Sequence, residues 1–125
     1  MYADDTKVKM ADGTEKFIRL IQVGDLLKVF NSDDVATVTE VEEQYQNTFA
    51  VVCNNNGKKK ALYCTLDQQL LLESGDATSV EALRIGSMLS NAGKVFGLVE
   101  SGERRTFAVT TDKGNNIYVN DFVGG

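Results

Sequence analysis

Thr48-Phe49-Ala50-Val51 recurs letter for letter as Thr106-Phe107-Ala108-Val109. Upstream of each copy lies a second echo. Leu20-Ile21-Gln22-Val23-Gly24-Asp25-Leu26-Leu27 resembles Leu83-Arg84-Ile85-Gly86-Ser87-Met88-Leu89. The order within each half is the same: a Gly-centred turn into a strand, a β segment, then Thr-Phe-Ala-Val. Two matches in one order at similar separation point to a duplicated β unit, with halves of about 20–65 and 83–123 related by a pseudo-two-fold.

Outward from these echoes the periodicity is that of strands. Lys7 to Met10 alternates, and Ala11-Asp12-Gly13-Thr14 is a tight turn joining it to a strand over Glu15–Leu20. Val35–Val41 alternates Val, Thr and Glu. Thr48–Cys53 and Lys60–Thr65 flank Asn54-Asn55-Asn56-Gly57, a hairpin turn because Asn and Gly accept positive φ. Gln69–Glu73, Lys94–Glu100, Thr106–Thr111 and Ile117–Val123 complete the strands, with turns at Gly102 and Lys113-Gly114-Asn115. Only Ser79–Leu83 reads as helical, for a turn or two, with Ser79 as its cap. Many short strands at near-regular spacing predict an all-β fold.

The bulk composition narrows the function. A chain of 125 residues suits one domain, 1–125, and 42% apolar with 25% charged residues is the balance of a folded globular protein. The net charge is −5 and the one basic run, Lys58-Lys59-Lys60, sits beside a turn, so no nucleic-acid partner is expected. No apolar run reaches the roughly 18 residues of a membrane span. The N-terminus lacks a signal-peptide pattern, so the expected location is cytoplasmic. Cys53 and Cys64 lie in apolar strands and read as buried free thiols. The absence of histidine removes the commonest general base and metal ligand. No metal or organic cofactor is expected, and the domain is expected to be a monomer.

Several blocks together resemble one family, the Hint-type domains of inteins and hedgehog autoprocessing proteins. Met1 through Gly13 resembles the intein opening block, in which a nucleophilic Cys or Ser precedes a Thr, a short strand and an Asp-Gly turn. Ile21–Leu27 resembles the "I-x-V-G-D-x-V" segment, and Cys64-Thr65-Leu66-Asp67-Gln68 the "T-x-x-H" block. Val80–Leu89 resembles "A-x-x-L-x-x-G-D-x-L". Thr106–Thr111 and Ile117–Val123 resemble the last two strands. The resemblance runs nearly end to end. It implies a Hint-type horseshoe of short strands with internal pseudo-two-fold duplication, in the manner of a mini-intein or bacterial intein-like domain without an endonuclease insertion.

The resemblance also implies a chemistry, self-splicing or self-cleavage of flanking backbone by an N-to-S or N-to-O acyl shift. The partner would be the domain's own flanking polypeptide, and any catalysis would be single-turnover. Most working positions hold altered residues. Met1, at the nucleophile position, is a thioether with no ionisable proton; it reads equally as a start residue or a replacement for Cys. Thr65 and Asp67 are retained. Gln68 fills the His position and cannot move protons near pH 7; losing one general acid or base costs roughly 10²–10⁴ in rate. Ala108 fills the acidic position of the late strand. Gly124 and Gly125 stand at the C-terminal junction where "V-H-N" would sit, one residue shorter. Asn120 matches a turn Asn, and Asn115-Asn116 is a turn pair whose amide could serve the C-terminal junction. Cys64, beside Thr65, is a displaced nucleophile or, by strand alternation, a core thiol.

The expected function is therefore intein-like autoprocessing, attenuated or lost in this chain. Two rivals remain open: a catalytically dead Hint scaffold, and an unrelated small all-β structural or interaction module such as a phage protein. The first two place Met1 and Gly125 on adjacent strands with Thr65 nearby; the third separates the termini.

Overall fold

A computed structural model of the chain describes residues 1–114 and 116–125. Asn115, half of the Asn115-Asn116 pair, lies outside the described residues.

Among the described residues, twelve strands form two sheets of six. In chain order they are β1 (Tyr2–Ala3), β2 (Lys7–Lys9), β3 (Glu15–Phe17), β4 (Leu26–Lys28), β5 (Val35–Asn55), β6 (Lys58–Cys64), β7 (Gln69–Leu71), β8 (Ala77–Ser79), β9 (Met88–Leu89), β10 (Gly93–Thr111), β11 (Ile117–Val119) and β12 (Phe122–Gly124). One sheet runs β4-β5-β6-β1-β10-β9, the other β3-β2-β11-β12-β7-β8. β5 also pairs with β10, so the pairing among β5, β6, β1 and β10 closes on itself and leaves β1 flanked on both sides. The all-β expectation holds.

Several details correct the sequence reading. Val35–Val41 and Thr48–Cys53 are one strand, β5, of 21 residues. Lys94–Glu100 and Thr106–Thr111 are likewise one strand, β10, of 19 residues. The polar run Glu42–Asn47 looked like a break because neither face alternates in hydropathy. It is instead exposed ribbon, held by its pairing with β10 from Glu103 to Ala108. Gly102 makes no chain reversal. At φ +88 it marks a bulge in β10 opposite Thr48, where an extra residue increases the local twist. The horseshoe of short strands thus carries two long ones as its spine.

Glu15–Leu20 is a strand only to Phe17; Ile18–Leu20 is a 3₁₀ turn. The helical expectation for Ser79–Leu83 resolves into the matching 3₁₀ turn Val80–Ala82, with no side-chain cap from Ser79. Ile117–Val123 is a hairpin, β11 and β12. Asn120 (φ 50) and Asp121 (φ 64) form its turn, and short Asx side chains tolerate that left-handed geometry.

The two halves repeat each other's backbone hydrogen bonds. Met10 N donates to Thr14 O as Leu72 N does to Asp76 O. Ile18 N donates to Thr6 O, and Val80 N to Gln68 O. Gly24 N donates to Val38 O, and Gly86 N to Val95 O. The recurrence reaches upstream of residue 20, to Thr6 and Gln68. Matched apolar positions, Val8 with Leu70, Ile18 with Val80, Ile21 with Leu83 and Leu27 with Leu89, are buried in one shared core. The repeated threonines do matching work. Buried Thr48 donates its hydroxyl to Gly102 O at 2.8 Å, and buried Thr106 to Gln44 O at 2.8 Å. Each ties one long strand to the other. Among the described residues, no helix is long and apolar enough to cross a membrane.

Candidate functional site

β1 is two residues long and sits between the ends of β6 and β10, with Tyr2 opposite both Cys64 and Phe107. This placement brings Met1 to the end of β6, where the chain turns through Thr65–Gln68. Thr65 N donates to Met1 O at 3.0 Å, and Gln68 N closes the turn on Thr65 O.

Met1 N donates to Thr65 Oγ1 at 2.9 Å. The Thr65 hydroxyl donates onward to Asp67 Oδ1 at 2.6 Å, which holds the Asp67 carboxyl below the usual carboxylate range. Burial lowers the pKa of the Met1 amine, with the Asp67 charge acting against it. In a longer polypeptide this nitrogen would be a backbone amide, with Thr65 Oγ1 as the acceptor of its N–H. The Met1 thioether lies beside polar groups: Gln46 Nε2 at 3.4 Å and Thr106 Oγ1 at 3.6 Å from Sδ. Ala108, one residue past the Tyr2 partner Phe107, pairs with Glu42 of β5.

Gln68 does not face Met1 N. Its side-chain amide points to the other end of the chain. Nε2 lies 2.9 Å from Gly125 O, 2.9 Å from Gln69 O and 3.0 Å from the Tyr2 hydroxyl. The Tyr2 hydroxyl donates to Gly125 O at 3.3 Å. Gln68 and Tyr2 are both buried, and burial pushes the Tyr2 phenol well above its ordinary value, so it stays a neutral donor. Gly124 is buried at this contact. A Cβ there would run into the Tyr2 hydroxyl and come within 2.9 Å of Gln69 O, so only glycine fits.

The predicted site residues thus fall into two clusters. Met1, Thr65 and Asp67 form one; Gln68, Gly124 and Gly125 form the other. The termini do not lie on adjacent strands, since β1 and β12 belong to different sheets. They are joined through the Tyr2 side chain, which leaves β1 and reaches Gly125. Asn116 also approaches: its Oδ1 is 3.8 Å from where a Cβ of residue 125 would be. Asn120 is a turn residue whose Oδ1 accepts from Lys7 N at 2.7 Å. Cys64 is fully buried and its thiol is pushed up to about 12 by burial, and Cys53 to about 11, so both are core thiols. Tyr2, Gln46 and Thr106 escaped sequence reasoning. Thr106 carried a signal, as the first letter of the repeated quartet. Tyr2 carried only its place next to Met1.

With the geometry in hand, the chain can be set beside known proteins. No family model and no curated protein matches the sequence. Solved structures do match. The gp41-1 intein superposes with a TM-score of 0.81 at 20% identity, covering 98% of this chain and 95% of that one. A DnaB intein from Synechocystis sp. PCC 6803 gives 0.82 at 16% identity, covering 98% and 95%. A bacterial intein-like domain from Clostridium thermocellum gives 0.74 at 17% identity, covering 98% and 96%. The fold is that of inteins and intein-like domains.

Proposed function

We propose that this chain, a Hint fold of the intein kind, is a single autoprocessing domain over 1–125 whose substrate is its own flanking backbone and whose N-terminal step is disabled. The single observation that supports this reading is that side-chain hydrogen bonds hold both chain ends, in two clusters on either side of the turn after β6. Met1 N is bound through Thr65, and Gly125 O through Gln68 and Tyr2. A packing module has no use for buried hydrogen bonds aimed at its two ends, since each must offset the desolvation of the groups that make it.

The N-terminal step needs a nucleophile at position 1 and a proton donor for the departing amine. Met1 is no nucleophile. Thr65 Oγ1 accepts from the position-1 nitrogen, and Asp67 behind it is an ionised acceptor. With Gln68 turned away, nothing in this set delivers a proton to that nitrogen. The duplicated backbone hydrogen bonds fit descent from a doubled β unit with pseudo-two-fold symmetry.

The test is a Met1→Cys chain carrying short flanking peptides at both ends, followed by mass spectrometry with and without added thiol. Loss of either flank is expected. Intact flanks after days under both conditions would leave the second reading, a Hint scaffold without chemistry, which Met1 and the orientation of Gln68 favour.

A further inference from the structure

Gly125 O is the focus of the second cluster, and the two side chains hydrogen-bonded to it, Gln68 and Tyr2, both donate. We infer that Gln68 Nε2 and the Tyr2 hydroxyl form an oxyanion cradle for the backbone carbonyl of residue 125. Gly125 O is here the oxygen of the last residue; it stands for a peptide carbonyl when the chain runs on.

The proton count supports two donors on this one oxygen. The Gln68 amide has two N–H bonds. One is taken by Gln69 O, at 2.9 Å, which fixes the orientation of the group. The other is shared between Gly125 O, at 2.9 Å, and the Tyr2 hydroxyl oxygen, at 3.0 Å. The Tyr2 hydroxyl brings its own proton to the same oxygen, at 3.3 Å. The donor residues are buried while Gly125 itself is exposed, so the donor dipoles are fixed by packing before any charge develops. Gly124 lets Tyr2 in: with any side chain at 124 the phenol could not lie where it does. The polar groups facing Met1 N, by contrast, accept. The two ends are therefore unlike, with an N–H acceptor at the first and carbonyl polarisation at the last. The residue at the His position serves the last.

The chemical consequence rests on the autoprocessing reading above. A thiol or hydroxyl on the residue after Gly125 attacks the Gly125 carbonyl carbon. The C=O π pair moves to oxygen, where the Gln68 N–H and Tyr2 O–H hold the negative charge. Collapse breaks the C–N bond, and the nitrogen takes the proton that the nucleophile releases. The product is an ester or thioester of Gly125 with a free amine on the following residue.

The experiment extends the chain past Gly125 with a short peptide beginning with Cys, and compares the parent with Gln68→Met and Tyr2→Phe, which preserve shape while removing one donor each. Two readouts are taken: the ¹³C resonance of the Gly125 carbonyl, and release of the C-terminal peptide by a small added thiol, followed by mass. In each variant the carbonyl resonance should move upfield, since a lost hydrogen bond shields the carbon. Release should slow on the order of 10²-fold for Gln68→Met, as for other single oxyanion donors, and less for Tyr2→Phe. A carbonyl resonance unmoved in both variants overturns the cradle, as does release at the parent rate in both. A resonance that moves in both variants while no peptide is ever released leaves the cradle standing and overturns the autoprocessing reading instead.

Discussion

Gln68 Nε2 lies 2.9 Å from Gly125 O, although the two residues are 57 apart in sequence. A buried amide reaching a carbonyl is a specific contact, made at the cost of desolvating the amide. It ties the turn after β6 to the last residue of the chain. Several measurable consequences depend on the contacts around it.

Gly124→Ala is expected to destabilise the fold by about 1–3 kcal/mol, the usual cost of overpacking a filled site, because its methyl meets Tyr2 and Gln69 O. Adding Tyr2→Phe should recover part of the loss, since it removes the hydroxyl but leaves the backbone oxygen of Gln69. Urea unfolding of the single and double variants measures the difference. Full additivity would show that Tyr2 is not the obstacle.

Thr6 and Gln68 occupy matching places in the two halves, and both are buried. Gln68 Nε2 is hydrogen-bonded to Gly125 O, Gln69 O and the Tyr2 hydroxyl, whereas Thr6 Oγ1 has no hydrogen-bond partner among the described residues. Thr6→Val therefore removes an unpaid desolvation and should stabilise by about 1 kcal/mol. Thr106→Val removes the hydroxyl that binds Gln44 O and should cost about 1 kcal/mol. Opposite shifts of the urea midpoint are the expected pattern.

Asp67 contributes a pH dependence of known sign. Its folded pKa lies below the ordinary value of about 3.9, because the Thr65 hydroxyl donates to it. Its stabilisation is present above that ordinary value and is lost as pH falls through the lower folded one. The parent should have the higher urea midpoint relative to Asp67→Asn at pH 7, and the gap should close in acid. A gap that persists at low pH would mean that the Asp67 charge has no part in it.

Cys53 and Cys64 should resist a thiol reagent at pH 8 in the folded protein, since burial raises their pKa values to about 11 and about 12 and only the thiolate reacts. Both should label at once in denaturant. Prompt labelling of Cys64 in the native state would reopen it as a nucleophile.

The strands were legible wherever apolar and polar residues alternate, as at Lys7–Met10, and so were turns with Asn or Gly at positive φ, such as Asn56 (φ 53) and Gly57 (φ 84). The long ribbon was not. Glu42–Asn47 has no buried face to impose an alternation, so its only strand signal is the partner across the ladder. Gly102 read as a turn because a positive-φ residue serves a bulge as well as a reversal. The 3₁₀ turn at Ile18–Leu20 was hidden because a single apolar residue buried at its start, Ile18, is equally consistent with a strand end.

For the site, the sequence by itself determined the inventory. Position 1 has no nucleophile, position 68 has no acid or base, and the chain contains no histidine. Those are facts of covalent chemistry, which no fold can change. Only the tertiary structure decided where each group points. A glutamine amide can turn to whichever acceptor the packing offers, and the turn after β6 offers it Gly125 O and not Met1 N. Tyr2 became part of the C-terminal cluster for the same reason: β1 is held on both sides, and the space left by Gly124 is where its side chain goes.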